Sequence, residues 1–160
     1  MLDPTITGRI RSIFLHAERQ VTIAEAAKLL GRAEEEIAAA IEAGEIETIT
    51  TCSGVRIDTR EVAEQAVHTW PMTAIEEALG RDASVVMPDG LRSSKLTVHV
   101  PSFLIQSLLF LADENGETPD ALLARELHGL AQFGRERLSR RIIDFDECID
   151  WPSVQYDRAS

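Results

Sequence analysis

The chain has 160 residues, of which 44% are hydrophobic and 27% charged, and its formal net charge is −11 at pH 7. These values are typical of a globular protein with one domain or two small ones, and they exclude a collagen-like or low-complexity chain. No apolar run reaches the roughly 20 residues that a membrane-spanning helix needs, and the N-terminus lacks the layout of a secretory signal. We therefore expect a cytoplasmic protein that does not enter the membrane.

The negative charge is unevenly distributed along the chain. Residues 1–90 contain 16 acidic and 8 basic side chains, whereas residues 92–141 contain 6 acidic and 7 basic ones. Residues 142–160 return to 5 acidic side chains against 1 basic. Because nucleic-acid affinity comes largely from neutralising phosphates, we expect any nucleic-acid surface in the central-to-late segment.

Catalysis and metal binding find little support in the sequence. The four histidines have no metal-ligand spacing, and Cys52 and Cys148 lie far apart, as expected of free thiols in a reducing compartment. There is no glycine-rich phosphate loop, and the carboxylates occur as runs on helix faces. We therefore predict that the protein is not an enzyme and uses neither a cofactor nor a metal.

The N-terminal half has the spacing of several helices around one hairpin. Residues 5–19 predict a first helix, and Thr22 followed by Glu25 predicts a capping box that opens a second. The stretch RAEEEIAAAIEAG predicts a third helix, and EIETITTCSGVRID predicts two short strands around a Ser-Gly turn. Asp58 and Glu61 predict another capping box, at the start of a further helix.

Residues 20–69 resemble the excisionase-like winged helix-turn-helix family on the stretches VTIAEAAKLLG, IEAGEIE and VRIDTREVAEQAV. The resemblance implies that the second helix of the motif docks in the major groove of DNA. In this chain that helix carries Glu34, Glu35, Glu36 and Glu42, whose carboxylates phosphates would repel. Three uses stay open: a solvated acidic face on a structural helix, a protein-binding or dimerising surface, and major-groove reading.

Residues 95–100 alternate polar and apolar side chains, which predicts a short β-strand before Pro101. A strand needs a ladder partner for its backbone N–H and C=O groups, and no neighbouring segment offers one. We therefore expect this strand to pair antiparallel with the same strand of a second chain. The helix that follows is apolar nearly all round and needs cover on several sides. The predicted dimer core is Leu96, Val98, Val100, Phe103, Leu108, Leu109 and Leu127.

Residues 94–134 resemble the ribbon-helix-helix family of DNA-binding proteins, on KLTVHVPSFLIQSLLFLADENGETPDALLARELHGL. The shared order is a strand ending in proline, a helix ending near ENG, and a second helix capped by threonine. The resemblance implies an intertwined dimer that inserts a two-stranded ribbon into the major groove. The DNA-binding residues carried over by position are Lys95, Thr97, His99, Arg92 and Thr118.

Each carried-over residue has a chemical role in that resemblance. Lys95 donates to guanine O6 and N7, Thr97 meets a thymine methyl or a polar edge, and His99 donates from an imidazole nitrogen. Arg92 adds charge near a phosphate, and the helix N-terminus at Thr118 offers backbone N–H groups to another. The alternatives are a half-exposed sheet face without DNA and a ribbon-helix-helix that only dimerises.

The acidic C-terminal tail contains large apolar side chains, among them Phe145, Ile149 and Trp151. Such anchors suit a basic partner protein such as a toxin, because toxin-neutralising antitoxins join a DNA-binding dimer to a segment of this kind. The other interpretation is that these side chains dock on the protein's own core.

The sequence thus predicts a mostly α-helical chain with two small domains. We expect a winged helix-turn-helix domain in residues 1–86, a linker in 87–94, a ribbon-helix-helix domain in 95–138 and the tail in 139–160. The expected function is that of a homodimeric transcriptional regulator that binds double-stranded DNA. The alternative is an antitoxin or protein–protein adaptor in which the ribbon-helix-helix only dimerises.

Overall fold

The structure is a computed structural model that describes residues 1–15 and 18–152. The chain is mostly α-helical and contains a small three-stranded antiparallel sheet. It divides into two compact units. The N-terminal unit comprises Met1–Ser93 together with Trp151 and Pro152, and the C-terminal unit comprises Ser94–Asp150.

The N-terminal unit contains six α-helices and three strands in its described residues. In chain order they are α1 (Pro4–Phe14), β1 (Gln20–Val21), α2 (Ile23–Leu30), α3 (Glu34–Glu42), β2 (Ile49–Thr51), β3 (Gly54–Asp58), α4 (Thr59–Thr69), α5 (Met72–Leu79) and α6 (Ala83–Val86). The strand order is β1-β3-β2, and both pairings are antiparallel. Thr50 faces Val55 across the hairpin, which confirms the two strands predicted around the Ser-Gly turn.

The start of α2 follows the predicted capping box. The backbone N–H of Glu25 donates to Thr22 Oγ1 at 3.1 Å, and the backbone N–H of Thr22 donates to Glu25 Oε2 at 2.7 Å. Gly31 ends the helix in the left-handed conformation with φ 68°, where a side chain would be strained. At α4 the predicted box is wrong. Asp58 caps the helix through the N–H of Arg60, but Glu61 turns inward and is buried.

The N-terminal unit has a continuous apolar core to which its helices and sheet all contribute. The apolar side chains of α1 recur at helical spacing and pack chiefly on α5 and α4, so this helix closes one side of the unit. The largest fully buried side chains are Ile10, Ile13, Ile37, Ile57, Ile75, Leu79, Val21 and Val62.

The C-terminal unit is helical throughout its regular structure. Its elements are α7 (Ser102–Asn115), α8 (Pro119–Phe133), α9 (Arg135–Leu138) and α10 (Phe145–Ile149). The two long helices begin as the sequence predicts, and α7 ends near the predicted ENG turn, whereas α8 ends at Phe133 rather than at residue 138. Gly116 ends α7 with φ 67°, and Thr118 Oγ1 accepts a hydrogen bond from the N–H of Ala121 at 3.2 Å.

Three boundaries differ from the sequence prediction. Residues 95–100 form no strand, because no segment within 1–15 and 18–152 pairs with them. The predicted linker 87–94 is largely part of the N-terminal unit: Met87 is buried, and the N–H of Ser93 donates to Glu76 Oε2 at 3.0 Å. Residues 139–150 belong to the C-terminal unit rather than to a separate tail, because α10 packs on α8.

Candidate dimer and nucleic-acid interface

The segment between Ser94 and Pro101 exposes its apolar side chains as well as its polar ones. Leu96 is 73% exposed, and Val98 and Val100 are exposed too, although the alternation would place all three on one face of a strand. A sequence that alternates so strictly is typical of a half-buried strand. In the single chain, therefore, the apolar side chains of residues 95–100 are exposed, although the alternating pattern predicts that they are buried.

Helix α7 is left open to solvent over most of its apolar surface. Ala112 is its buried residue and Leu108 is half-buried, on the side that packs against α8. The exposed apolar side chains are Phe103, Leu104, Ile105, Leu109, Phe110 and Leu111. Burying one such side chain stabilises a protein by about 1.5–3 kcal/mol, so the helix has unused apolar surface on several sides.

Helix α8 continues the same exposed surface. Leu122 is its buried residue, whereas Leu123, Leu127, Leu130 and Phe133 are exposed, Phe133 to 91%. Monomeric proteins rarely expose contiguous apolar patches this extensive. Of the predicted dimer core, six residues are thus exposed in the single chain and Leu108 is half-buried. All but Leu108 are directly accessible to a second chain.

The polar triplet of the same segment is accessible. Lys95, Thr97 and His99 are all exposed, and none of them makes a side-chain hydrogen bond or ion pair with the described residues. Lys95 therefore presents a cation that no carboxylate of residues 1–15 or 18–152 neutralises.

The two flanking positions are less suited to phosphate than the triplet. Arg92 Nε lies 3.3 Å from Asp89 Oδ1, so its charge is partly compensated. The Thr118 hydroxyl is engaged as the cap of α8, and Asp120 lies in the first turn of that helix. A carboxylate at this point opposes the attraction that a helix N-terminus has for an anion.

The acidic face of α3 is fully exposed. Glu34, Glu35 and Glu42 lie in solvent, and so does Glu36, whose carboxylate accepts the N–H of Ala33 at 3.1 Å. Arg32 Nε lies 3.8 Å from this Glu36 carboxylate and does not offset the other charges. The surface that the winged helix-turn-helix resemblance would place in a DNA groove is thus dominated by carboxylates.

Glu61 is a buried carboxylate, although its position in the sequence predicts a capping role at the start of α4. Its Oε2 accepts the N–H of Glu47 at 3.1 Å, and nearby Gln65 Nε2 donates to the carbonyl of Glu45 at 3.3 Å. These two side chains of α4 hold the loop between α3 and β2. Burial raises the pKa of Glu61, and the nearby charge of Glu64 raises it further. The sequence indicates the burial of Glu61 only through its position directly before two apolar residues, Val62 and Ala63, which are themselves buried.

We expect Glu61→Gln to change the pH dependence of stability. Because the pKa of Glu61 is raised in the folded state, the folded protein binds this proton more tightly than the unfolded chain. Glu61 therefore contributes added stability as the pH falls through its raised pKa towards the ordinary carboxyl value. The glutamine variant lacks this gain. Chemical denaturation at a series of pH values measures the difference between the two.

The control for this experiment is Glu42→Gln, which removes an equal charge from the exposed surface of α3. Its pH dependence should follow that of wild type. If Glu61→Gln and wild type gain the same stability between pH 7 and pH 5, then the ionised carboxylate of Glu61 is not penalised by burial.

The proposed tail anchors are buried within the chain itself. Phe145 and Ile149 are buried in the C-terminal unit, and Trp151 is buried in the core of the N-terminal unit. Arg135 forms a two-pronged ion pair with Asp150, in which Nη1 lies 2.8 Å from Oδ1. This arrangement agrees with the interpretation that the side chains dock on the protein's own core.

Other classes of site are not formed by the described residues. No group of three or more His, Cys, Asp or Glu side chains in residues 1–15 and 18–152 could hold a metal ion. In the same ranges, the helices are all too short or too polar to cross a membrane. The chain matches no protein-family model, no curated protein and no solved structure.

Proposed function

We propose that the chain is a homodimeric DNA-binding transcriptional regulator, in which a winged helix-turn-helix unit precedes a ribbon-helix-helix unit. The observation that carries this proposal is the exposed apolar surface of residues 95–133, which is defined by the side chains of residues 95–100, α7 and α8. A second copy of the chain supplies both the missing ladder partner and the missing cover.

The sequence of residues 95–100 favours its own copy over a different partner. Two antiparallel copies place Leu96, Val98 and Val100 of both chains on one face of a ribbon. That apolar face then covers the exposed side of α7 in both protomers. The pairing also satisfies backbone N–H and C=O groups that no other described segment engages. The same surface therefore explains both the alternation and the open helix.

The opposite face of such a ribbon is suited to DNA. It presents two copies of Lys95, Thr97 and His99, and a two-stranded ribbon fits the major groove. Lys95 has no carboxylate partner in the described structure, so its charge is available to DNA. The acidic α3 is a poor alternative reader, because its carboxylates would face the phosphates on either side of a groove.

The second candidate is an adaptor or antitoxin that binds a basic protein, with residues 95–133 serving only the dimer. The observation that favours it is the exposed acidic face of α3, with Glu34, Glu35 and Glu42. The buried positions of Phe145, Ile149 and Trp151 are less favourable to it, because these side chains are engaged within the chain.

Salt-dependent binding of the intact dimer to genomic DNA fragments tests the first candidate. Three cations of the C-terminal unit have no ion-pair partner among the described residues: Lys95, Arg137 and Arg141. If between two and six such charges of a dimer meet phosphates, log K against log salt has a slope of about −2 to −5. A folded dimer whose DNA binding is absent, or is independent of salt, would exclude the regulator.

Co-purification tests the second candidate in parallel. An adaptor of this kind retains a small basic protein through its acidic surface. Glu34→Gln/Glu35→Gln is the variant that tests the acidic face. If the basic protein is retained and DNA is not, the second candidate replaces the first.

A further inference from the structure

Trp151 occupies a site in the core of the N-terminal unit. Its indole ring stacks on Phe14 with 5.1 Å between ring centroids and 10° between ring planes. Its Nε1–H donates to the backbone carbonyl of Val86 at 2.8 Å in a buried position. The indole is therefore both packed on an aromatic face and held by its one polar atom, which is how buried tryptophans are usually satisfied.

The rest of this core comes from a different part of the sequence. Every other buried member of the cluster lies between Ile10 and Met87, and Pro152, directly after Trp151, is buried as well. The chain leaves the N-terminal unit after Ser93 and re-enters it at Trp151. A single aromatic side chain in a fitted apolar site is how many peptides are anchored to a protein surface.

The residues directly before Trp151 are held separately. Phe145 and Ile149 are buried in the C-terminal unit, and Asp150 forms its ion pair with Arg135 there. Asp150 and Trp151 are consecutive, so the boundary between the two units lies between these two residues.

We propose that the N-terminal unit contains an aromatic socket, formed by Phe14 and the Val86–Met87 turn, and that Trp151 is its intramolecular ligand. Trp151 and the buried Pro152 then form a strap that closes this unit and opens without unfolding α2 and α3. The ligand class of the socket is an indole or a similar flat aromatic group with one hydrogen-bond donor. This inference does not depend on DNA binding.

Trp151→Ala in the full-length chain tests the strap. Loss of a buried aromatic side chain lowers the melting temperature of a unit this size by about 10 °C or more. Amide hydrogen exchange should become faster in residues 10–14 and 83–87, while α2 and α3 stay protected. Trp151→Phe keeps the stacking but loses the donor to Val86, so its effects should be intermediate, and it provides a folded variant if alanine does not.

Chemical rescue tests the socket itself. An enclosed apolar cavity binds small aromatic molecules, so millimolar indole should raise the melting temperature of Trp151→Ala and leave that of wild type unchanged. The control is Trp70→Ala, which removes a half-buried indole from the same unit and leaves no enclosed site. The proposal is overturned if Trp151→Ala has wild-type exchange, or if exchange rises equally in α2 and α3 and indole restores nothing.

Discussion

Replacing Leu109 by lysine should convert the proposed dimer into a folded monomer. Leu109 is 53% exposed on α7 in the single chain, so the substitution costs the monomer little. In the dimer each protomer would bury a lysine without a partner, at several kcal/mol per charge. Two such charges weaken association by about 1000-fold or more. Sedimentation equilibrium over a range of concentrations measures the change, and circular dichroism confirms that the helices persist.

The matched control is Val85→Lys, which places the same charge on an exposed apolar residue of α6 in the N-terminal unit. Val85 is 79% exposed, so this variant should dimerise as wild type does. The prediction is contradicted if both variants have the wild-type mass. It is also contradicted if wild type is monomeric at high concentration, because the exposed surface of residues 95–133 would then need a partner other than a second copy.

Local features of the fold could be predicted from the sequence because their partners lie within a few residues. The Thr22–Glu25 box and the Thr118 cap each join groups three residues apart, and the hairpin is set by a two-residue turn. At Asp58 the same local capping rule predicts only part of the structure. The cap forms, but tertiary burial next to Val62 and Ala63 outweighs the local preference of Glu61.

The longer-range features could not be predicted, because periodicity does not say what covers an apolar side chain. Nothing near Trp151 in the sequence indicates that its partners are Phe14 and Val86, far away in the chain. Residues 95–100 show the converse. Their pattern predicts a strand, but none forms, since no segment of residues 1–15 or 18–152 pairs with them. The residues proposed for the dimer core were chosen from the sequence alone. The structure adds that all of them except the half-buried Leu108 are exposed in the single chain.

Lys95→Ala/His99→Ala should weaken DNA binding while leaving the dimer intact. Both side chains are exposed and alternate along the sequence with Leu96, Val98 and Val100, so their removal leaves the apolar side chains unchanged. A good contact to a base edge contributes about 1–3 kcal/mol, and a dimer loses two copies of each. We expect affinity to fall at least about 100-fold at constant salt. Loss of two lysine charges also makes the salt slope shallower by about 2.

The chain offers a closely matched control in Lys28→Ala/His68→Ala. Lys28 is the other lysine of the sequence, and both residues are exposed, on α2 and α4 of the N-terminal unit. This variant removes the same side chains and the same charge, so a general effect of net charge on DNA affinity would appear equally in both. If the two-stranded ribbon contacts DNA, only Lys95→Ala/His99→Ala should lose affinity for DNA. If the two variants bind alike, and both form dimers, the DNA surface lies elsewhere on the molecule and the outward face of residues 95–100 is a solvated one.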